Sequence, residues 1–403
     1  MTRPGYKLTE IGEIPEDWNV VELGSMIEIL DLMRVPLSET ERERKKGSIP
    51  YCGANGIIDY INDYLFEEEA VLIAEDGGNY GKYQNKAYVM SGKYWVNNHA
   101  HIFRGKYGLL DNRFIMQWLN FAEISPYVSG STRTKLNQEM LKSIIVPKIP
   151  FLEQQKISEI LSTADETIQK VNEEITMTEK LKKGLMQTLL TKGIAHTKFK
   201  RTEIGEIPDP WNVKELYQVS ELRKETIEPM KYMSEHYVGL ENISPGQLRI
   251  FSYGDATNLK SSKFKFKKGD ILYGKLRPYL DKVALAEFDG VCSTDIIPIV
   301  SKNLNARFLA YMLHSDLFLQ FVKSTVSGTN HPRTAWKQMS HFLVPFPSIS
   351  EQQKIAEILS TVDNKLELLR NKKGHLEKLK KGLMGDLLTG KVRVKIDTSI
   401  GEN

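Results

Sequence analysis

Along two stretches of the chain apolar residues recur every three or four positions, the spacing of a helix that buries one stripe. Ile157, Leu161, Ala164, Ile168, Val171 and Ile175 step by four and three in alternation. Ile355, Leu359, Val362, Leu366 and Leu369 repeat the stripe, which Lys373 interrupts before Leu376 resumes it. Each stretch follows a strand-like run containing a proline, Ile144–Pro147 and Phe342–Pro345. The second opens with Ser350, whose spacing to Gln353 matches a capping box, and both close near a glycine, Gly193 and Gly390. Two helices of about 38 residues follow, each roughly 57 Å long at the usual rise. A lone helix of this kind leaves its stripe in water, so the two stripes are expected to pack on each other as a coiled coil. A homodimer seam with another chain is the alternative that periodicity admits.

Elsewhere the period shortens to two. Ala70–Ala74, Tyr94–Val96, Asp270–Tyr273 and Asp295–Val300 read as strands, broken by Gly77, Gly78, Gly105, Gly269, Gly274 and Gly290. Helical stretches, Asn112–Phe121 and Asn305–Leu319, follow each set. Each region between the long helices is therefore expected to be an α+β domain with its own core.

The chain also repeats itself. Ile11-Gly12-Glu13-Ile14-Pro15-Glu16-Asp17-Trp18-Asn19-Val20 returns from Ile204 to Val213, shifted by 193. The helical segments return at a shift of 198, and 22 of the 39 positions from Glu153 to Thr191 are identical to their partners. Those identities lie at the two ends of the segment, while Glu166–Thr178 and Asn364–Leu376 share none. Matched ends suggest docking surfaces and the middle a spacer. Residues 21–128 and 214–326 show almost no likeness beyond a similar length. Two copies are too few for a solenoid, so the order variable, constant, variable, constant describes a duplicated module with a pseudo-twofold internal repeat.

Charge alters this picture only a little. Fifty-five basic against 51 acidic residues give a net charge of +4, which is compatible with nucleic-acid binding and does not require it. Between Asp255 and Lys282, eight lysines and arginines face three aspartates, interleaved with Phe264, Phe266, Tyr273 and Tyr279, a composition suited to a phosphate backbone. Near the end of each variable part sits a matched loop, Ser129–Lys135 and Ser327–Thr334, in which glycine and small hydroxyl residues surround an arginine. Such a loop can approach a phosphate or a base edge; a surface turn with a solvated arginine is the plain alternative, but recurrence at the same offset as the helices favours DNA contact, and a contact with the helices would also explain it. The DNA-contact candidates are Arg133, Lys135, Lys275, Arg277, His331 and Arg333.

No catalytic constellation is evident. The chain holds no P-loop, no nucleophile elbow and no cysteine pair spaced for zinc. Asp76–Gly81 reads as a tight turn rather than a nucleotide loop. His99 and His101 share a strand face but lack a third ligand, so no metal is expected. Trp18 and Trp211 read as packing residues that anchor the first strand of each module. With two cysteines, Cys52 and Cys292, no apolar run of membrane-spanning length and no signal-peptide core at Met1–Tyr6, a cytoplasmic protein is expected.

Several phrases of this chain resemble those of the specificity subunits of type I restriction-modification enzymes. They are the Gly-Glu-Ile-Pro-x-x-Trp openings at Gly12 and Gly205, the Glu-Gln-Gln-Lys-Ile entries that follow Pro147 and Pro345, and the Leu-Lys-Lys-Gly-Leu-Met and Leu-Leu-Thr tails. Val96–His101 and Gly269–Tyr279 look like phrases of the same family's target-recognition domains. The resemblance implies two α+β target-recognition domains, at 1–150 and 200–347, separated by helices at 151–193 and 348–391 packed as an antiparallel coiled coil, with a tail at 392–403. It implies that each domain reads half of a split double-stranded DNA site, at a spacing set by the helices. The partners it implies are two methyltransferase subunits carrying S-adenosylmethionine and motor-nuclease subunits using ATP and magnesium; this chain is expected to be non-catalytic and to bind no cofactor. Helix-seam and partner-docking residues are then Ile157, Leu161, Ile168, Leu185, Ile355, Leu359, Leu366 and Leu383. A coiled-coil scaffold without DNA recognition is the alternative, and it leaves the divergence of the intervening domains unexplained.

Overall fold

The short apolar runs form strands, and in both copies of the module they assemble in the same order. The computed structural model describes residues 3–130, 134–228, 236–259, 261–325 and 332–396. It divides into two units: unit 1 is Met1–Asn172 with Asn371–Asn403, and unit 2 is Glu173–Arg370.

Unit 1 opens with a hairpin, β1 (Tyr6–Thr9) and β2 (Gly12–Pro15), followed by β3 (Asn19–Glu22) and β4 (Ile27–Ile29). After the short helix α1 (Glu39–Arg44) come β5 (Lys46–Gly53), β6 (Gly56–Ile61), β7 (Phe66–Glu67), β8 (Ala70–Ala74), β9 (Ala87–Met90), β10 (Lys93–Val96) and β11 (Ala100–Gly105). Helices α2 (Asn112–Phe121) and α3 (Gln138–Ser143), then β12 (Ile145–Lys148), lead into the long helix α4 (Phe151–Lys192). One sheet runs β6-β5-β10-β7 and the central one β4-β11-β8-β9, while β12 pairs with β3. All five residues of β8 are buried, because the strand is covered on both faces. Val71 and Ile73 enter the core shared with α2, and Ala70 and Leu72 face Cys52, Phe66, Tyr94 and Val96 of the other sheet.

Unit 2 repeats the plan. Its strands are β13 (Phe199–Thr202), β14 (Gly205–Pro208), β15 (Asn212–Glu215), and, after α5 (Leu216–Val219), β16 (Ser220–Leu222), β17 (Thr226–Ile227), β18 (His236–Val238), β19 (Gly254–Asp255), β20 (Lys263–Phe266), β21 (Ile271–Gly274), β22 (Val283–Leu285), β23 (Gly290–Cys292) and β24 (Ile296–Ser301). Helices α6 (Ala306–Leu313), α7 (Asp316–Thr325) and α8 (Trp336–Met339), strand β25 (Leu343–Phe346) and helix α9 (Ile349–Leu387) complete the chain. The central sheet is β16-β24-β21-β22 and the outer one β17-β20-β23-β18-β19. In both central sheets the strands therefore stand first, fourth, second, third in chain order. Ile271 and Tyr273 of β21 point into the helical core and Leu272 into the outer sheet, the alternation found in β8.

Each unit takes the beginning of one long helix and the end of the other, and in each the two segments run antiparallel. In unit 1 Asp165 meets Lys380 at 2.6 Å. In unit 2 Lys182 meets Asp363 at 2.7 Å, Glu174 meets Lys365 at 3.0 Å and Glu179 meets Arg370 at 2.7 Å. The first two pairs are repeat mates. Both aspartates also hold a helix of their own unit, Asp165 through Gln117 Nε2 (2.7 Å) and Asp363 through the Tyr311 hydroxyl (2.7 Å).

The duplicated Glu-Gln-Gln-Lys entries show the same doubling. Gln154, fully buried, accepts from the Asp111 N–H (2.8 Å) and donates to the Leu109 and Ile149 carbonyls. Gln352 accepts from the Asn305 N–H (2.8 Å) and donates to the Pro347 carbonyl. Asp111 and Asn305 are the N-caps of α2 and α6, so each glutamine ties a long helix to its neighbour's first turn. Glu351 accepts from Trp211 Nε1 (2.9 Å) and His196 Nε2 (2.8 Å). Its mate Glu153 is taken instead by Arg393 at 2.7 Å, which leaves the buried Trp18 Nε1 without a partner. Both tryptophans are core residues, as their sequence context suggests.

Ile157, Leu161 and Leu383 pack into the core of unit 1, and Ile355, Leu359 and Leu185 into that of unit 2; Ile168 is half-buried and Leu366 buried. Much of the identity at the helix ends is thus explained by packing on the chain's own domains, and only its exposed part is free to face a partner. α9 begins earlier than its capping pattern suggests: Ser348 Oγ, not Ser350, accepts from the Glu351 N–H at 3.4 Å. Gly193 and Gly390 carry φ of 65° and 68° just past the helix ends, where a side chain would be strained. Among the described residues no helix is long and apolar enough to cross a membrane.

Candidate nucleic-acid interface

In each unit the second strand of the central sheet, β8 or β21, runs out into a loop that is stitched to the matched loop near the end of the variable part. In unit 1 the Leu136 N–H donates to the Glu75 carbonyl (2.7 Å) and the Gly77 N–H to the Thr134 carbonyl (3.1 Å). In unit 2 the Thr334 N–H donates to Lys275 (3.1 Å) and the Arg277 N–H to Pro332 (2.8 Å). Isolated bridges, Asp76 with Lys135 and Leu276 with Arg333, complete the match. A third segment joins in both, since the Glu75 N–H donates to the His99 carbonyl and the Lys275 N–H to the Asp295 carbonyl, each at 2.9 Å.

The backbone frame is common to both units, but the side chains on it differ in sign. Unit 1 places Glu75 and Asp76 where unit 2 places Lys275 and Leu276, and Gly77, with φ 69°, where unit 2 places Arg277. Around Glu75 gather Arg34 Nη1 at 2.8 Å and Lys135 Nζ at 3.2 Å. His99 lies 3.2 Å from Asp76. His101 is buried, with Nδ1 2.6 Å from Asp31 and Nε2 2.7 Å from the Leu136 carbonyl, so neither ring nitrogen is open to a metal. Burial alone would raise the Asp31 carboxyl, but the hydrogen bond and charge of His101, the Ile102 amide and Arg34 outweigh it and hold the carboxyl below its usual range.

Unit 2 has a surplus of donors at the same place. Arg333 Nε lies 3.2 Å from Asp295, and no ion pair engages Lys275 or Arg277 among the described residues. Lys224, Lys275, Arg333, Phe264 and Trp336 line a groove of about 460 Å³. At its edge Arg223 forks onto the buried Asp270, one bond measuring 2.9 Å, which fixes the strand end below. Cations with an aromatic side chain suit a phosphate backbone and base faces, and Arg or Lys matches the acceptors of guanine in the major groove. The carboxylates of unit 1 match exocyclic amino groups instead.

Of the residues singled out from sequence, Lys275, Arg277 and Arg333 are thus brought together in unit 2, and Lys135 stands at the corresponding place in unit 1. Arg133 and His331 lie outside the described residues. Within the basic stretch from Asp255 to Lys282, Phe266 and Tyr273 are core residues, so only Phe264 and Tyr279 remain accessible. Sequence reasoning passed over Asp31, Arg34, Lys224 and Asp295, which lie in segments without likeness between the repeats. Among the described residues no group of three metal-ligating side chains converges. Both cysteines are buried, and burial pushes each thiol up to about 12, which leaves them unreactive.

Comparison with known proteins bears on this geometry. The family model described as the type I restriction modification DNA specificity domain matches residues 15–177 and again 208–378. The chain is 28% identical over 410 residues to the type I restriction enzyme MjaVIII specificity subunit of Methanocaldococcus jannaschii, covering 95% of this chain and 94% of that protein. It is 26% identical over 372 residues to the type I restriction enzyme EcoDI specificity subunit of Escherichia coli, covering 85% and 81%. The solved S subunit of a type I restriction-modification system from M. genitalium shares the fold, with a TM-score of 0.61 at 15% identity over 98% of this chain and 100% of that one.

Proposed function

The chain belongs to the type I restriction-modification DNA specificity domain family, which it matches twice, and from that premise we propose that it reads a bipartite, asymmetric DNA site, one half with each unit. The observation that supports this most directly is the stitched loop pair: one backbone frame built twice, with Glu75 and Asp76 in unit 1 where unit 2 has Lys275 and Leu276, and with Lys275 and Arg277 in no ion pair among the described residues. A single frame bearing opposite side chains is what two different half-sites require. Phosphate contacts from lysine and arginine would supply most of the affinity, and a few side chains on the loops the base identity.

In this reading α4 and α9, each with residues in both units, set the spacing between half-sites. Residues repeated at the helix ends yet exposed, such as Leu181 and Leu379, face two copies of a methyltransferase subunit. S-adenosylmethionine belongs to those partners, and ATP and magnesium to motor-nuclease subunits that join them; this chain supplies recognition without chemistry, in the cytoplasm. Arg133, Lys135, Lys275, Arg277, His331 and Arg333 are the proposed DNA contacts.

Methylation mapping of host DNA, before and after residues 200–347 are exchanged for another subunit's domain, tests the proposal. One half-site should change and the other persist; a change in both halves refutes independent reading. Lengthening the helices between Glu166 and Thr178 should widen the gap in the site, and an unchanged gap removes the helices as its ruler.

A further inference from the structure

We propose that each unit carries a rigid apolar tip that wedges into the base stack of the half-site it reads: Tyr279 and Leu280 in unit 2, Leu32 and Met33 in unit 1. The inference rests on the DNA-reading assignment above.

In unit 2 the tip is a single turn, Pro278–Leu280, flanked by Arg277 and Asp281, both with φ of 50°. Side chains other than glycine tolerate that left-handed backbone only where the surroundings fix it. Here they do. The Arg277 N–H is held by Pro332, the Gly246 N–H binds the Asp281 carbonyl at 3.0 Å, and the Asp281 carboxylate lies 2.7 Å from Nδ1 of the buried His314. Despite this anchoring Tyr279 and Leu280 remain 48% and 39% exposed.

Unit 1 has an exposed apolar turn at a different place in the frame, after β4 rather than after β8. Its tip is the turn Asp31–Met33, with Leu32 fully exposed and Met33 half so. The turn is fixed by another aspartate–histidine pair, Asp31 with His101, by the Ile102 N–H on Asp31 at 2.9 Å, and by Arg34 on Glu75 and the Ala100 carbonyl. Both tips adjoin the stitched loop, through His101 Nε2 on Leu136 and through the Arg277 N–H on Pro332. Two adjacent apolar side chains offer too little area for a stable protein contact but match the gap of one opened base step. In unit 2 Lys275 and Arg277, which lead into the tip and are unpaired among the described residues, complement phosphates beside such a step. Wedging unstacks and kinks DNA, which would ease extrusion of the base a methyltransferase must reach.

The test uses the full chain assembled with its methyltransferase subunits, without S-adenosylmethionine. Duplexes of the mapped site carry 2-aminopurine at successive positions other than the methylated adenine. Fluorescence should rise at one step in each half-site. Tyr279→Ala with Leu280→Ala should abolish the rise in one half only, and Leu32→Ser with Met33→Ser in the other only, each weakening binding roughly ten-fold. Tyr279→Phe should retain the signal and serves as the folding control. Site-specific binding with fluorescence unchanged in the double variants overturns the wedge alone. So does loss of partner assembly with the rise intact, which makes the tips protein contacts. Absence of site-specific binding by the unmutated complex overturns the DNA-reading assignment, and the wedge with it.

Discussion

Replacing Gln154 with leucine isolates the joint between a long helix and its neighbour. Leucine nearly matches glutamine in volume, so the site loses polarity without gaining a cavity. Three backbone groups lose their partners: the buried Ile149 carbonyl, and the Asp111 N–H and Leu109 carbonyl, whose bonds are partly buried. Each unmet group costs about 1–3 kcal/mol, and allowing for relaxation and non-additivity the sum is about 3–5 kcal/mol. For a unit of this size that lowers the midpoint of thermal unfolding by roughly 6–15 °C. The measurement is thermal and urea unfolding followed by circular dichroism, with Gln352→Leu and the double variant alongside, because two units can unfold in two steps. Gln352→Leu should destabilise unit 2 by a similar amount. Since the two glutamines belong to different units, the losses should add to within about 0.5 kcal/mol. A loss below about 1 kcal/mol for Gln154→Leu would refute this account of the joint.

Three further outcomes follow from named contacts. Arg393→Ala strips the cation from Glu153, only 1% exposed, and, because the arginine itself is largely in solvent, should cost about 1–3 kcal/mol by urea titration, most of it recovered by adding Glu153→Gln; no recovery would locate the loss elsewhere. Double-mutant cycles on Asp165–Lys380 and on Lys182–Asp363 should give similar coupling of about 1–2 kcal/mol, and a coupling confined to one pair would mean the repeat mates are not equivalent. Lys86 lies buried against the carbonyls at the end of α2, and burial pushes its amine down to about 8 from an ordinary value of 10.5. Between those values the unfolded chain holds a proton that the folded chain lacks, so stability rises with pH across that window. The urea midpoint of the unmutated chain, minus that of Lys86→Met, should climb from pH 8 to 10, and a flat difference would contradict it.

The long helices were legible because their signal is local and doubled: a period of seven over many turns, copied at a fixed shift. The strand runs were legible because their signal is local too, although it is not repeated in sequence, and β8, covered on both faces, shows an unbroken apolar run rather than alternation. Ser350 misled because a serine two residues earlier reaches the Glu351 N–H first, and a capping pattern fixes the first turn only approximately. The buried polar joints left a trace in the identity of Glu153 with Glu351, Gln154 with Gln352, Asp165 with Asp363 and Lys182 with Lys380. Their partners could not be guessed, since Asp111 and Asn305 or Gln117 and Tyr311 share place and not chemistry. Arg34 and Asp31 were invisible, because their meaning lies in contacts with Glu75 and His101 some 40 to 70 residues away.

The division of the chain also has a consequence in time. Unit 2 is continuous from Glu173 to Arg370, whereas unit 1 is closed only by residues from Asn371 onward. On the ribosome the first domain emerges with Ile157 and Leu161 already made but Met384, Leu387 and Leu388 still to come. At about 5–20 residues per second, the intervening 198 residues take roughly 10–40 s to synthesise. The later domain can therefore finish folding before the earlier one, which waits with part of its core open for the residues that follow unit 2.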